Sequence, residues 1–135
     1  MKSFLSTKYS KGAFNLAMLI LRLGVGILMA SHGYDKLIHF GTMENRFMNF
    51  LGLGPTISLS LVVFAEFFCS IFLILGLFTR FAAIPIIVVM CVALFKVHDG
   101  QLFSEGEKAT IYLAGALTIL LCGPGRISID GIMGK

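Results

Sequence analysis

From Ile57 to Phe78 the chain is apolar except for occasional small polar residues and one charged residue, Glu66. A run of that length crosses the ~30 Å hydrocarbon core of a bilayer as an α-helix. A lone apolar segment in lipid satisfies its backbone N–H and C=O groups only by helical bonding. Three more apolar runs follow the same pattern: Phe14–Ala30, Phe81–Val97 and Ala109–Cys122. Between them fall the Gly, Pro and charged residues that end helices. Of the 135 residues, 57% are hydrophobic and 13% charged, and the mean hydropathy is +0.92. A water-soluble domain carries about 25% charged residues. The expected fold is therefore all-α, an integral membrane four-helix bundle in a single domain, with membrane lipid as its surroundings.

The chain order divides accordingly. Residues 1–13 are a polar, basic N-terminal segment. A transmembrane domain is expected over 14–123, with spans at about 14–33, 57–78, 81–98 and 105–122, followed by a tail over 124–135. The first run is not read as a secretory signal peptide: it is long, Arg22 interrupts its middle, and no small-x-small cleavage site follows. Residues 34–56 mix charged groups with Phe47, Met48, Phe50 and Leu51, which suits an interfacial helix or packed loop, broken by Gly52, Gly54 and Pro55. Pro85 is placed in the first turns of the third span, where a missing N–H costs least. Ser104 with Glu107 three residues later reads as a capping box for the fourth, and Gly123-Pro124-Gly125 stops it.

Four spans put both termini on one side. Lys2, Lys8, Lys11, Arg80, Arg126 and Lys135 lie on that side, against Lys36, Arg46, Lys96 and Lys108 on the other. The excess of basic residues assigns both termini to the cytoplasm.

Arg22 and Glu66 are the sharpest chemical signals, because each sits in the middle of an apolar span. A charge there costs about 2.5–3.5 kcal/mol on translocon scales. The simplest compensation is mutual, Arg22 of the first helix pairing with Glu66 of the second. Such a pair either locks helix register or marks a functional centre. Ser70, one turn beyond Glu66, is placed to hydrogen-bond into the same patch, and Gly26 and Ala30 form a small-residue stripe beyond Arg22. Met18 and Met29 read as core filler or as the wall of an apolar ligand site. His32, Lys36, His98 and Glu107 all belong to the membrane side opposite the termini and are expected to converge above the pair as a proton relay. The proposed centre thus comprises Arg22, Glu66, His98 and Glu107 as reacting groups, with His32, Lys36 and Ser70 as ligand contacts.

Other chemistries find no support. His32, His39 and His98 lack a second ligand at metal-site spacing. No Lys/Arg block is interleaved with aromatics, so nucleic acid is not an expected partner. Cys69, Cys91 and Cys122 form no C-x-x-C pair and lie in separate apolar runs, where they read as small buried hydrophobes.

Several segments taken together resemble the DoxX family of small four-helix bacterial membrane proteins. They are Arg22-Leu23-Gly24; Ser31-His32-Gly33-Tyr34-Asp35-Lys36-Leu37; Glu66 followed by Leu75-Gly76-Leu77-Phe78-Thr79-Arg80; His98; Glu107; and Gly123-Pro124-Gly125-Arg126-Ile127-Ser128-Ile129-Asp130. The resemblance spans roughly residues 15–131. It implies a bacterial inner (cell) membrane location. It also implies a role near sulfur or thiol redox chemistry and quinone reduction, since the family takes its name from a thiosulfate:quinone oxidoreductase with a related membrane subunit. The separated cysteines depart from any dithiol cycle within one chain.

Three functions compete at this level. One is a subunit of a redox system coupling thiol or sulfur compounds to the quinone pool. In that reading a quinone lies between the helices, and electrons come from a redox partner protein or a thiol donor, because the chain has no flavin, haem or iron–sulfur motif of its own. The second is a non-catalytic scaffold or assembly subunit. The third is a small-molecule carrier, disfavoured by the lack of duplicated halves unless a homo-oligomer forms the path.

Overall fold

The computed structural model describes residues 2–43, 52, 54–97 and 106–134. Four long helices dominate the described residues. The first, α1, is Lys11–Ile38. Ser10 caps it in extended conformation, its Oγ accepting the Ala13 N–H at 3.1 Å, which satisfies one of the orphan donors of the first turn. Its 28 residues rise about 42 Å, more than the hydrocarbon thickness, so its ends reach the headgroups. The helix continues through Tyr34 and Lys36 to Ile38 rather than stopping near Gly33, so the start of the expected interfacial loop belongs to α1. A single helical turn, Phe40–Met43, follows. The apolar loop residues Phe47, Met48, Phe50 and Leu51 lie outside the described residues.

The second helix, α2, is Pro55–Leu75. Pro55 opens it where its missing N–H is tolerated, and Ser58 Oγ donates to Gly54 O at 2.7 Å. Midway, Phe64–Phe68 form a π turn, in which the Cys69 N–H bonds to the Phe64 carbonyl. Gly76 ends the helix at φ 70°, and the Leu77 N–H returns to Phe72 O at 2.9 Å. This left-handed stop closes the orphan carbonyls of the last turn.

A very tight connection then leads to α3, α-helical over Thr79–Val92 and continued by a π turn over Ala93–Val97. Pro85 lies inside α3, beyond the first turns, so its ring removes a helix bond to the Phe81 carbonyl. The fourth helix, α4, is Glu107–Cys122. Gly106 stands at its N-cap without a side-chain cap, and Ser104, the expected capping residue, lies outside the described residues. Its 16 residues rise about 24 Å, shorter than the core of the bilayer. Lys2–Leu5 and Ile129–Ile132 add single turns at the two ends of the chain.

Contacts establish an up-down-up-down bundle. Arg22 meets Leu73 and Ile74, whereas Gly33 meets Glu66 and Phe67, so α1 and α2 are antiparallel. Val25 packs on Gly115 and His32 on Tyr112, which makes α4 antiparallel to α1. Arg80 reaches Leu121, pairing α3 with α4 in the same manner. Asn15 Oδ1 accepts the Arg126 N–H at 3.0 Å, which joins the two terminal segments at one end of the bundle.

The interior is filled by Met18, Val25 and Met29 of α1, Leu73 of α2, Ile86 and Met90 of α3, and Ala116 and Ile119 of α4. Met18 and Met29 are thus core filler. The outer faces carry Ile20, Ile27, Phe68, Phe81, Ile111 and Leu121, all exposed. Arg22, Glu66, Ser70, Thr79 and Asp130 are buried instead. Apolar residues outside and charges inside is the distribution a chain adopts when its solvent is lipid. The protein is an all-α integral membrane bundle.

Candidate functional site

Glu66 lies within the π turn of α2. A π turn inserts one extra residue into the helix, turning its face locally, and such turns recur at functional sites. Here the carboxylate is drawn toward α1. Lys36, in the last turn of α1, places Nζ 2.7 Å from Glu66 Oε2, with the side chains 23% and 8% exposed. The contact is an ion pair without hydrogen-bond alignment at Oε2. Gly33 makes the approach possible. A Cβ on it would stand 2.6 Å from the Phe67 backbone N and 2.7 Å from the Glu66 carbonyl carbon. The two backbones therefore touch one turn before Lys36, a close crossing that only glycine permits.

Two further side chains join from α4 and α1. Tyr112 interacts electrostatically with Glu66. The His32 ring stands edge-on to Tyr112, with centroids 6.0 Å apart. Beside the ion pair, a cavity of about 520 Å³ opens between α2 and α3. Lys36, Glu66 and Ser58 supply its polar lining, and the rest is apolar, including Leu61, Phe64, Ile84, Pro85 and Val88. Leu61, Phe64, Ile84 and Val88 are also exposed on the outer face, so the cavity opens sideways to lipid. Such a volume, apolar with a few convergent polar groups, is that of a small-molecule site.

The expected Arg22–Glu66 pair does not form. Arg22 is 1% exposed. Its Nη1 donates to Leu73 O at 3.1 Å and Ile74 O at 3.4 Å, and its Nη2 donates to Ile127 O. Leu73 follows Glu66 by two helical turns, about 10 Å of rise. The guanidinium's planar fork suits several acceptors at once, and the carbonyl oxygens at the C-terminal end of α2, the negative end of its dipole, provide them. Glu66 is left to the lysine at the opposite end of the same helix pair.

Asp130 supplies the counter-charge near Arg22. Its Oδ1 accepts the Phe78 N–H, and its Oδ2 accepts both the Thr79 N–H and the Thr79 hydroxyl, each at 3.0 Å. The Asp130 N–H donates to Gly76 O at 2.9 Å. The tail thereby caps the start of α3 and holds Phe78 at φ 47°, a backbone conformation that non-glycine residues rarely adopt. Gly76 sits inside this knot, where a Cβ would meet Ser128 and the Arg22 guanidinium.

The remaining expected residues scatter. Ser70 is fully buried, and among the described residues its Oγ has no hydrogen-bond partner, nor has Arg22 Nε. Ser70 therefore lies between the two charged centres and belongs to neither. Glu107 is exposed in the first turn of α4. His98 lies outside the described residues, and so does any contact it makes with Glu107. Gly26 packs on Ser70 O and Ile74, so this part of the small-residue stripe serves packing within the chain. Cys69 is buried, Cys91 half-buried and Cys122 exposed, all as free thiols. Cys122 thus departs from the reading of buried hydrophobes, because it ends α4 at the surface. Reading the residues alone missed Tyr112, Thr79 and Asp130. A polar residue near an apolar run was the available signal for each, but all three sit at ends or faces where a solvated role is equally common.

A family model described as DoxX matches residues 17–99, more than half of the chain. The chain belongs to the DoxX family. The DoxX match includes Arg22, His32, Lys36, Glu66 and Ser70, and ends before Tyr112 and Asp130. The chain is 27% identical over 127 residues to the inner membrane protein YqjF of Escherichia coli, covering 90% of this chain and 95% of that protein. It is 28% identical over 134 residues to the uncharacterized membrane protein Rv3486 of Mycobacterium tuberculosis, covering 88% and 82%. It is 33% identical over 117 residues to an uncharacterized protein of Haemophilus influenzae, covering 82% and 85%. No solved structure matches the chain. Membership in DoxX, with the lipid-facing exterior, makes this a membrane protein.

Proposed function

We propose that this DoxX protein is the membrane subunit of a redox system that couples thiol or sulfur compounds to the quinone pool, and that it holds a quinone in the α2–α3 cavity. The observation that carries the reading is the Lys36–Glu66 pair in the wall of an apolar cavity open to lipid. The fit is chemical. The cavity presents hydrocarbon to a ring and tail, and one cation–carboxylate pair, its acid buried and its lysine half-buried, to a carbonyl. When bound, a quinone would accept two electrons, supplied by a partner protein or a soluble thiol, and two protons. Lys36 would donate a hydrogen bond to a carbonyl oxygen and raise its affinity for electrons. Glu66 would hold Lys36 in place and exchange protons with the Tyr112 hydroxyl side of the bundle.

The proposed location is the bacterial inner membrane, supported by the similarity to the E. coli inner membrane protein YqjF. Both termini are placed in the cytoplasm, supported by the basic residues at that end. A second reading, a non-catalytic assembly subunit, draws on Arg22 and Asp130, whose partners are helix ends and the tail. Equilibrium dialysis of the purified protein with a short-chain quinone tests the choice. The redox reading expects one molecule bound, with at least tenfold weaker binding in Lys36→Met and Glu66→Gln. Absence of binding, or equal binding in both variants, favours the assembly subunit.

A further inference from the structure

At the end of the bundle that carries both termini, far from the Lys36–Glu66 pair, lies a second and wider hollow of about 1070 Å³. Three cations from three different elements line it: Lys11 at the start of α1, Arg80 at the start of α3, and Arg126 after α4. Two of them are held by their surroundings. The Arg80 guanidinium lies over Gly123, where a Cβ would stand 3.2 Å from Nη2, and donates to Leu121 O at 3.4 Å. Arg126 is positioned by its own N–H bond to Asn15 Oδ1. Among the described residues, the Lys11 and Arg126 side chains make no hydrogen bond or ion pair with the protein. The acid lining the hollow, Asp130, already accepts from Phe78 and Thr79 through both oxygens.

Among the described residues three cations thus share the hollow with one carboxylate; such a surplus of positive charge repels itself, and the fold gains by binding an anion. The other lining says which anion. Tyr9, Phe78 and Phe81 rim the same hollow and are 79%, 51% and 76% exposed. Aromatic residues at a helix end mark the boundary between headgroups and acyl chains. A site with cations on the headgroup side and exposed aromatics on the lipid side matches an amphiphile with a phosphate head, whereas a free phosphate has no use for the rim. We infer that Lys11, Arg80 and Arg126 form a binding site for the phosphodiester headgroup of an anionic phospholipid, whose acyl chains run beside Phe78 and Phe81. Basic pockets at the ends of transmembrane helices bind such headgroups. This site shares no residue with the proposed quinone cavity, so each stands or falls alone.

Native mass spectrometry of the delipidated full chain in detergent tests the inference. Short-chain phosphatidylglycerol and phosphatidylcholine are titrated separately. The expected result is one tightly held phosphatidylglycerol, with at least tenfold preference over phosphatidylcholine. Lys11→Gln with Arg126→Gln, both exposed, lowers phosphatidylglycerol affinity by about fivefold for each cation removed and erases the preference. Arg80→Lys keeps the preference, whereas Arg80→Gln weakens it. Equal binding of the two lipids, a preference that survives the double substitution, or displacement of the lipid by inorganic phosphate at equal concentration overturns the assignment.

Discussion

Lys36 Nζ stands 2.7 Å from Glu66 Oε2, across a helix crossing where the Gly33 backbone rests on that of Phe67. The lysine lies near the end of α1 and retains some exposure, whereas the acid is buried. The cation beside Glu66 is thus the ammonium of Lys36 and not the Arg22 guanidinium. The arrangement leaves Arg22 free to tie α2 to the tail. Two charge centres thus share one helix pair, about two turns apart, and their roles separate: one faces a cavity, the other closes the end of the bundle.

That separation is measurable by double-mutant cycles on thermal unfolding in detergent. Lys36→Met strands a buried carboxylate. The loss expected is about 2–3 kcal/mol, between an exposed pair and a fully buried one. Adding Glu66→Gln recovers most of it. The Arg22→Met and Glu66→Gln effects add to within about 0.5 kcal/mol, as independent sites do. A large Arg22–Glu66 coupling energy contradicts the structure.

Glycines discriminate the close crossings from the open ones. Gly33→Ala forces a Cβ into the α2 backbone and costs about 1–3 kcal/mol as overpacking. Among the described residues, none has an atom within 4 Å of where a Cβ on Gly24 would stand. Gly24→Ala is expected to be neutral or to stabilise by up to about 1 kcal/mol through helix propensity. Midpoints of thermal unfolding for the two variants, compared side by side, check the pair.

Removing the tail's carboxylate opens the terminal end of the bundle. Asp130→Ala strands the Phe78 and Thr79 N–H groups and is expected to cost about 3 kcal/mol. Asp130→Asn retains one acceptor oxygen and costs roughly half as much. Limited proteolysis reads the change directly: the tail after Gly123 becomes cleavable in the alanine variant before the helices unfold.

Thiol labelling reports the side on which that end lies. Cys122 is exposed in the basic hollow, while Cys69 is buried in the core. A membrane-impermeant maleimide is expected to label Cys122 in inside-out vesicles and not in intact cells, and to leave Cys69 unlabelled in both. Labelling in intact cells reverses the proposed orientation.

Much of the architecture was readable along the chain because lipid imposes a single requirement on each span. Apolar length, interrupted by Gly, Pro and charge, marks helices whether or not their partners are known. The burial of Arg22 and Glu66 followed from the same argument, since neither tolerates acyl chains. Boundaries were less legible. Polar residues of α1 such as Tyr34 and Lys36 look like loop in a one-dimensional reading, yet they continue the helix because its end stands in the headgroups. The interior position of Pro85 was hidden by the same ambiguity at Thr79.

Partner choice lay beyond the chain's linear order. Spacing along each helix shows that Arg22 and Glu66 point inward, but it carries no term for the vertical offset between α1 and α2. That offset arises where Gly26 and Gly33 let the two backbones close, and it sets Arg22 level with Leu73 and Lys36 level with Glu66. The tail's return to cap α3 through Asp130 is likewise a contact between segments far apart in sequence. Solvent preference is a property of each residue, and therefore legible one residue at a time; register is a property of two packed surfaces, and exists only once both are formed.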